Sequence, residues 1–361
     1  MEVSSLFGGV YKGKNILVTG NTGFKGSWLV LWLKKMGANV TGFSVDGLNQ
    51  GSHFDLLHLN IETVTGDIRN KEEIAECVRK CQPEIIFHLA AQSLVRRSYR
   101  DPYLTFETNI IGTLHVLEAA RNCKAVKAFV NVTTDKVYEN EENHKAYSED
   151  DALGGYDPYS SSKACSEILS SSYRRSFLMN DGFLLATARA GNVIGGGDWA
   201  DERLIPDMMR AAFGGETATI RNPDAIRPWE HVLEPLSGYL LLGQRLLEGK
   251  GEFARSWNFG PEMTECVSVK KVTTILSEEW ERIKVVEEQG DKKMHEAAIL
   301  KLDCSRSKKE LGWAPVWNLS TALKRTTAWY REYFTGKRVI TEGDLDAFLT
   351  DAVSKKITWT N

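Results

Sequence analysis

The sequence has no excess of positive charge, no paired cysteines and no long apolar run. Lys and Arg number 45 against 48 Asp and Glu in 361 residues, a formal net charge of −3. No basic field exists to collect a polyanion, so nucleic acid is excluded as a partner, although a small anion can still use local arginines. The six cysteines, at positions 77, 81, 123, 165, 266 and 304, form no CxxC pair and no dense cluster. That spacing argues against a zinc site or a disulfide framework; no metal is expected, and buried thiols in a reducing compartment fit. The longest apolar runs, such as WLVLWL, fall far short of the roughly 20 residues of a membrane span. The start MEVSSLFGGVYKGKN lacks the basic-then-apolar order of a secretory signal. The expected location is the cytoplasm, with no membrane partner.

Apolar residues make up 42% and charged residues 26%, close to the soluble average, so neither disorder nor a fibrous repeat is indicated. The length suggests two domains, or one large domain carrying a smaller one. Short apolar runs alternate with helix-period segments from the start: NILVTG, the helical GSWLVLWLKKMG, then NVTGFSV. The alternation continues through EIIFHLA, a helix over 103–122, AFVNVTT, a helix over 159–178 and FLLATARAG, ending near residue 191. Strand and helix in alternation predict an α/β fold, a Rossmann-type doubly wound parallel sheet over 1–191. Beyond about residue 192, Gly195, Gly197, Pro206, Pro223 and Pro228 break the pattern. A smaller mixed α/β lobe is expected over 192–361, with a charged helix in SEEWERIKVVEEQ (277–289), and part of this half could return to the first sheet as an added strand.

VTGNTGFKGSW sets Gly20, Gly23 and Gly26 between the first strand and the first helix. Glycine there lets the backbone turn tightly and approach a pyrophosphate, whose charge is met by the free amides at the helix N-terminus. Asp46, twenty residues past Gly26 at the end of the second strand, can accept hydrogen bonds from an adenosine ribose and repels a 2′-phosphate, which favours NAD over NADP. Asp67 in VTGDI can meet the adenine; a cap for the helix beginning KEEIAE explains it almost as well. Further on, Tyr159 and Lys163 in YSSSK share a helix face. A phenol ordinarily near pKa 10 becomes a base only when a cation stabilises its phenolate, and Lys163 is the obvious cation.

TGNTGFKG, HLAAQS, TTDKVY and YSSSK stand in the order and at the spacing of the extended short-chain dehydrogenase/reductase family, which the chain resembles over nearly its whole length. The resemblance implies a nucleotide-sugar enzyme with tightly held NAD, Thr134 and Tyr159 at the C4 hydroxyl of the sugar, and Lys163 on the nicotinamide ribose. It extends the cofactor contacts to Thr22 and Phe24 in the glycine loop, Ile68 beside Asp67, and Leu89, Ala90 and Ala91 after the fourth strand. RAGNVIGGGDW and IRPWEHV resemble nucleotide-sugar loops, which puts Asn192 near the sugar or pyrophosphate and Arg227 on the diphosphate, a match of cationic fork to anion. Gln92 and Ser93 either approach the hexose or cap the following segment. His88 and His231 read as structural.

Within the resembled family, 4-epimerases and 4,6-dehydratases share the Tyr and Lys and differ after the strand-end threonine, where dehydratases place an acid and a base. Most carry Asp-Glu there; this chain has Asp135-Lys136, a departure that points to dehydratases acting on CDP-glucose. Leu94 and Arg96 are a second departure, since many dehydratases have His and Asp at those positions. Tyr159 would take the C4 hydroxyl proton, and Asp135 and Lys136 would then handle the C6 hydroxyl and the C5 proton, with Asp135 the candidate acid and Lys136 the candidate base. Burial pushes both pKa values in the required direction, whereas an ion pair between them would lock each in the wrong state; which is acid and which base stays open. The rivals are an NAD-dependent 4-epimerase, which needs no acid and base at 135 and 136, and a non-catalytic NAD-sensing regulator, which has no need of Tyr159 and Lys163. By resemblance the chain forms a homodimer through its helices at 103–122 and 159–178, or a homotetramer. Its product would feed deoxysugar synthesis for surface polysaccharide such as lipopolysaccharide O-antigen.

Overall fold

The computed structural model describes residues 2–45, 51–142, 145–178, 182–288 and 297–360. In chain order the first half comprises β1 (Asn15–Thr19), α1 (Phe24–Lys35), β2 (Asn39–Ser44), α2 (His53–Leu56), β3 (Glu62–Thr65), α3 (Lys71–Cys81), β4 (Ile85–His88), α4 (Val95–Arg100), α5 (Pro102–Phe106), α6 (Thr113–Arg121), β5 (Ala128–Val132), α7 (Pro158–Ser176) and β6 (Leu184–Ala190). The second comprises β7 (Asn192–Ile194), α8 (Leu204–Gly214), β8 (Thr217–Ile220), β9 (Ile226–His231), α9 (Leu233–Leu247), β10 (Ser256–Phe259), β11 (Cys266–Ser268), α10 (Val269–Glu279), β12 (Lys284–Glu287), α11 (Leu319–Gly336) and α12 (Thr341–Ser354).

Seven strands form one sheet in the order β10-β6-β5-β4-β1-β2-β3, and every pairing in it is parallel. Its central strands are apolar at consecutive positions because both faces are covered. Ile16, Val18, Ile85, Phe87 and Val130 pack on one side with Trp28 and Leu29 of α1 and Leu236 and Leu240 of α9. Leu17, Ile86 and Phe129 point the other way, onto Ile74 and Val78 of α3 and Val116 and Leu117 of α6. The strand period of two thus sorts neighbouring residues into two cores. Adjacent β1 and β4 lead to helices on opposite faces, which opens a crevice at their carboxyl ends, where open α/β sheets bind ligands.

The second half does not separate cleanly at residue 191. β10 joins β6 at the sheet edge, and α9 belongs to the core on one sheet face. The three-stranded β11-β9-β7 sheet and the β12-β8 pair stand apart, over a third core of α8, α10 and α11 side chains. One expected helix is corrected: within 277–289 the helix stops at Glu279, Trp280 is extended (φ −148, ψ 107), and residues 284–287 form β12 against β8. Burial of Trp280 and Ile283, with β-branched Val285 and Val286 in the ladder, outweighs the helix preference of the surrounding glutamates. The helix over 103–122 runs through α5 and α6 with a π-helical turn at Glu107–Gly112 between them. That turn places Asn109 in the interior, where its Nδ2 donates to the Gln92 carbonyl at 2.9 Å and to Ser162 Oγ at 2.8 Å. Among the described residues no helix is long and apolar enough to cross a membrane, and no His, Cys, Asp and Glu cluster could hold a metal.

Candidate active site

The glycine loop opens onto the crevice in a form that only glycine permits at two of its positions. Gly20 has φ +74, and a Cβ there would lie 2.8 Å from the Ala90 nitrogen; one on Gly26 would lie 2.0 Å from the Gly20 carbonyl oxygen. No side chain caps the first turn of α1, so its amides stay available to an anion. Thr22 Oγ1 is buried with no hydrogen-bond partner among the described residues. A cradle that a Cβ would fill, free helix amides and an orphaned hydroxyl together fit the pyrophosphate of a dinucleotide. Phe24 begins α1, and Leu89, Ala90 and Ala91 continue β4 into the crevice, the Leu89 and Ala90 amides bonded to Thr19 at 3.1 and 3.3 Å.

Asp46 lies outside the described residues. Asp67 follows β3; burial raises its pKa, but the Arg69 guanidinium at 2.6 Å outweighs this and holds the carboxyl below its usual range. The cap of α3 is Asn70, whose Oδ1 accepts from the Glu72 and Glu73 amides, so capping does not account for Asp67. Ile68 is buried, and its carbonyl accepts from His115 Nδ1 at 3.0 Å.

The catalytic candidates converge where β5 ends. Buried Glu167 of α7 accepts from Thr133 at 2.5 Å, Thr187 at 2.6 Å and Arg189 at 2.9 Å, a charge-assisted network that fixes the strand end. Thr134 comes next, donating to Asp135 Oδ1 at 3.0 Å and accepting from the Lys136 amide at 3.4 Å. Asp135 is 1% exposed, and its Oδ2 has no hydrogen-bond partner among the described residues. Burial raises its pKa against the opposing pull of Lys136, Thr134, Arg227 and Lys25. Half-buried Lys136 therefore acts on the acid through space, and the feared hydrogen-bonded ion pair is not formed at Oδ2.

Tyr159 sits in the first turn of α7, which Asp157 caps through the Ser160 amide at 3.0 Å. Lys163 is the cation expected beside its phenolate. Burial pushes the phenol up to about 12, and a Thr134 hydrogen bond and the Arg203 charge are the chief groups opposing this. Lys163 is instead tied to the Val132 carbonyl at 2.8 Å, and burial pushes its ammonium down to about 8. The shared helix face is present, but Lys163 is not among the groups that bear most on the phenol.

Substrate candidates divide. Asn192 opens β7 opposite Trp229. Arg227 is buried, donating to the Ile226 and Ala298 carbonyls at 2.9 and 3.3 Å, with its charge felt at Asp135. Gln92 holds the following loop, bonded to Leu94 and to Thr105 Oγ1 at 2.9 Å. Exposed Ser93 accepts from Arg203 at 3.3 Å. His88 bridges Thr19 and Thr113 and His231 packs between Trp28 and Trp317, both as structural residues.

Two charged groups escaped the sequence reading. Lys25, one residue before Gly26, donates to Tyr239 Oη at 3.5 Å; burial lowers it to about 8 despite nearby Glu230, Asp135 and Asp198. Glu230 of β9 is 3% exposed, and neither carboxylate oxygen has a hydrogen-bond partner of ordinary geometry among the described residues. Burial raises it well above the carboxylate range. The signals were a lysine in a phosphate-binding turn and an acid between Trp229 and His231 in a buried strand.

The sequence matches the family model described as GDP-mannose 4,6 dehydratase over residues 17–326. It is 44% identical over 337 residues to the CDP-glucose 4,6-dehydratase of Salmonella typhimurium, covering 91% of this chain and 94% of that one. Identity to the dTDP-glucose 4,6-dehydratase of Streptomyces griseus is 30% over 333 residues, 88% and 94% of the two chains. Among solved structures, dTDP-glucose 4,6-dehydratase from Streptomyces venezuelae with NAD and TYD bound gives a TM-score of 0.76 at 27% identity, covering 88% of this chain and 97% of that one. UDP-glucose 4-epimerase from Thermotoga maritima with UDP-glucose gives 0.77 at 25% identity, with 88% and 99% covered.

Proposed function

The chain belongs to the GDP-mannose 4,6-dehydratase family of NAD-dependent nucleotide-sugar enzymes, and on that footing we propose that it removes water from CDP-D-glucose to give CDP-4-keto-6-deoxy-D-glucose. The observation that carries this reading is Asp135, a buried carboxyl whose Oδ1 accepts from the Thr134 hydroxyl at 3.0 Å, whose Oδ2 has no hydrogen-bond partner among the described residues, and whose charge is felt at Tyr159. An epimerase has no use for an acid there. The choice of CDP is supported by the 44% identical relative.

Bound in the glycine loop, the nicotinamide cofactor would supply the hydride acceptor for C4 and, once reduced, the hydride donor for C6. Gly20, Gly23 and Gly26 would hold its pyrophosphate, Thr22 and Phe24 would line it, and Lys163 would hold the nicotinamide ribose. Thr134 and Tyr159 grip the C4 hydroxyl, and Tyr159 takes its proton. The C4 ketone acidifies the C5 hydrogen, which Lys136 would remove as base and later return. Asp135, whose carboxyl pKa burial raises, would give a proton to the departing C6 hydroxyl. Arg227 and Asn192 would face the diphosphate and sugar.

Incubation with CDP-, UDP-, GDP- and dTDP-glucose, read by mass spectrometry, tests the reading. Loss of one water from CDP-glucose is expected; an isobaric product means epimerisation, and no change means a binding role. We place the reaction in the cytoplasm, supported by six unpaired cysteines, and assign the product to deoxysugar synthesis for surface polysaccharide. A homodimer is supported by exposed Tyr103, Phe106 and Ile111 in and after α5, and by Ile168 and Phe177 on and after α7.

A further inference from the structure

Dehydration of this kind leaves a proton out of place at the end of each turnover, and this inference rests on that reading. Oxidation puts the C4 hydroxyl proton on Tyr159. Elimination takes a proton from Asp135 to make water of the C6 hydroxyl. The C5 proton goes to Lys136 and returns to C5, while the hydride taken from C4 ends at C6. Because C4 remains a ketone, the proton on Tyr159 has no route back to the sugar. Each turnover therefore leaves Tyr159 one proton too rich and Asp135 one too poor.

Solvent is a poor carrier between them, since Asp135 is 1% and Tyr159 8% exposed. Thr134 acts on both: its hydroxyl donates to Asp135 Oδ1 at 3.0 Å and is the first of the groups that pull the Tyr159 phenol down against burial. We propose that the Thr134 hydroxyl relays the proton from Tyr159 to Asp135, so that the proton taken from the C4 hydroxyl of one substrate molecule protonates the C6 leaving group of the next.

The step balances without a further reactant. The Tyr159 O–H bond breaks as Thr134 accepts that proton, and the Thr134 O–H bond breaks as Asp135 Oδ1 accepts the next. A phenolate and a neutral carboxyl remain, and a half-turn of the carboxyl group presents the proton where Oδ2 now stands. Arg203 favours the phenolate, while Asp135 and Asp157 oppose it. Lys136, Arg227 and Lys25 surround the carboxyl. Tyr159, pushed up to about 12 in the protein alone, keeps its proton there, so the relay discharges only in the loaded site.

The test is rapid-quench product formation by the full-length holoenzyme with CDP-glucose, comparing wild type, Thr134→Val and Thr134→Ser. Thr134→Val should form about one product per site and then slow by roughly 10²-fold or more, the scale of a lost proton transfer. Formate added as a small proton carrier should restore its later turnovers in proportion to concentration. Wild type and Thr134→Ser, which keep a hydroxyl, should show no formate dependence. Valine also removes the cap on the Lys136 amide and a substrate contact, but those losses slow first and later turnovers alike. Equal slowing of all turnovers, or indifference to formate, overturns the relay and leaves Thr134 as a substrate contact. If wild type removes no water from CDP-glucose, the functional reading fails and the relay with it. Should Thr134→Val not fold, Thr134→Ala is read by the same formate response.

Discussion

A methyl group added at Gly26 tests whether the glycine loop is the cofactor cradle. Its Cβ would lie 2.0 Å from the Gly20 carbonyl oxygen and 2.9 Å from Asn21 Cα, where ordinary contact begins at 3.4 Å. The first gap is short by 1.4 Å, and both obstacles are backbone. Neither can give easily, because the Gly20 amide is bonded to Phe43 at 2.8 Å and its carbonyl to the Gly23 amide at 3.1 Å. Overpacking of this sort costs about 1–3 kcal/mol, and if the turn carries it, NAD affinity falls about 5- to 150-fold. Gly23→Ala is the internal comparison: its Cβ would meet that same oxygen at 3.3 Å and its backbone, φ −71 and ψ 169, suits any residue. That variant should lose less than about fivefold, under about 1 kcal/mol. Gly13→Ala controls for left-handed strain alone, with φ +71 and nothing within 4 Å. Titration calorimetry with NAD on the cofactor-stripped proteins gives the ranking. Wild-type affinity in Gly26→Ala, or a greater loss in Gly23→Ala, would refute the cradle.

Asp135→Asn keeps an acceptor for Thr134 but has no acidic proton, so water loss should fall about 10²- to 10⁴-fold while C4 oxidation continues. Mass spectra of quenched reactions should then show a nucleotide sugar two hydrogens lighter than substrate, and water loss at the wild-type rate would contradict the acid role. His53, held neutral by burial with its pKa lowered to about 3, binds its proton only once unfolded. Its contribution to stability is present above about pH 6.5 and is lost as pH falls toward about 3, roughly 2 kcal/mol by about pH 5. Denaturant curves of His53→Gln should lose about that much less than wild type between about pH 7 and about pH 5. Ile168→Glu, at a 57% exposed position on α7, should shift the protein to monomer in sedimentation if α7 lies in the dimer interface.

The sheet was legible because parallel strands buried on two faces write themselves as consecutive apolar residues, and the glycine loop because its spacing is set by a backbone clash. Tyr159 and Lys163 were legible as a pair because four residues make one helical turn. Their electrostatics were not: a sequence gives no depth of burial, and depth raises the phenol and diverts the lysine to Val132. β12 was missed because its charged residues read as an exposed helix, while the deciding contacts come from β8, more than sixty residues earlier. Glu230 was missed for the same reason, its neighbour Lys25 being brought to it by the fold.

Burial of the acid also decides what else the site must contain. A carboxyl in water would be ionised near neutrality and useless to a departing hydroxyl, so the acid role proposed for Asp135 requires the withdrawal from solvent that raises its pKa. Withdrawal removes the solvent that would reload it. An acid made by desolvation therefore needs an internal donor within hydrogen-bond reach, and Thr134 meets that need because the strand end that carries it is clamped to Glu167 through Thr133. In the proposed relay the threonine before the acid and the tyrosine on the next helix act as one proton-handling unit, in which loss of the Thr134 hydroxyl stalls the second turnover before the first, whereas loss of Tyr159 or Asp135 stalls the first.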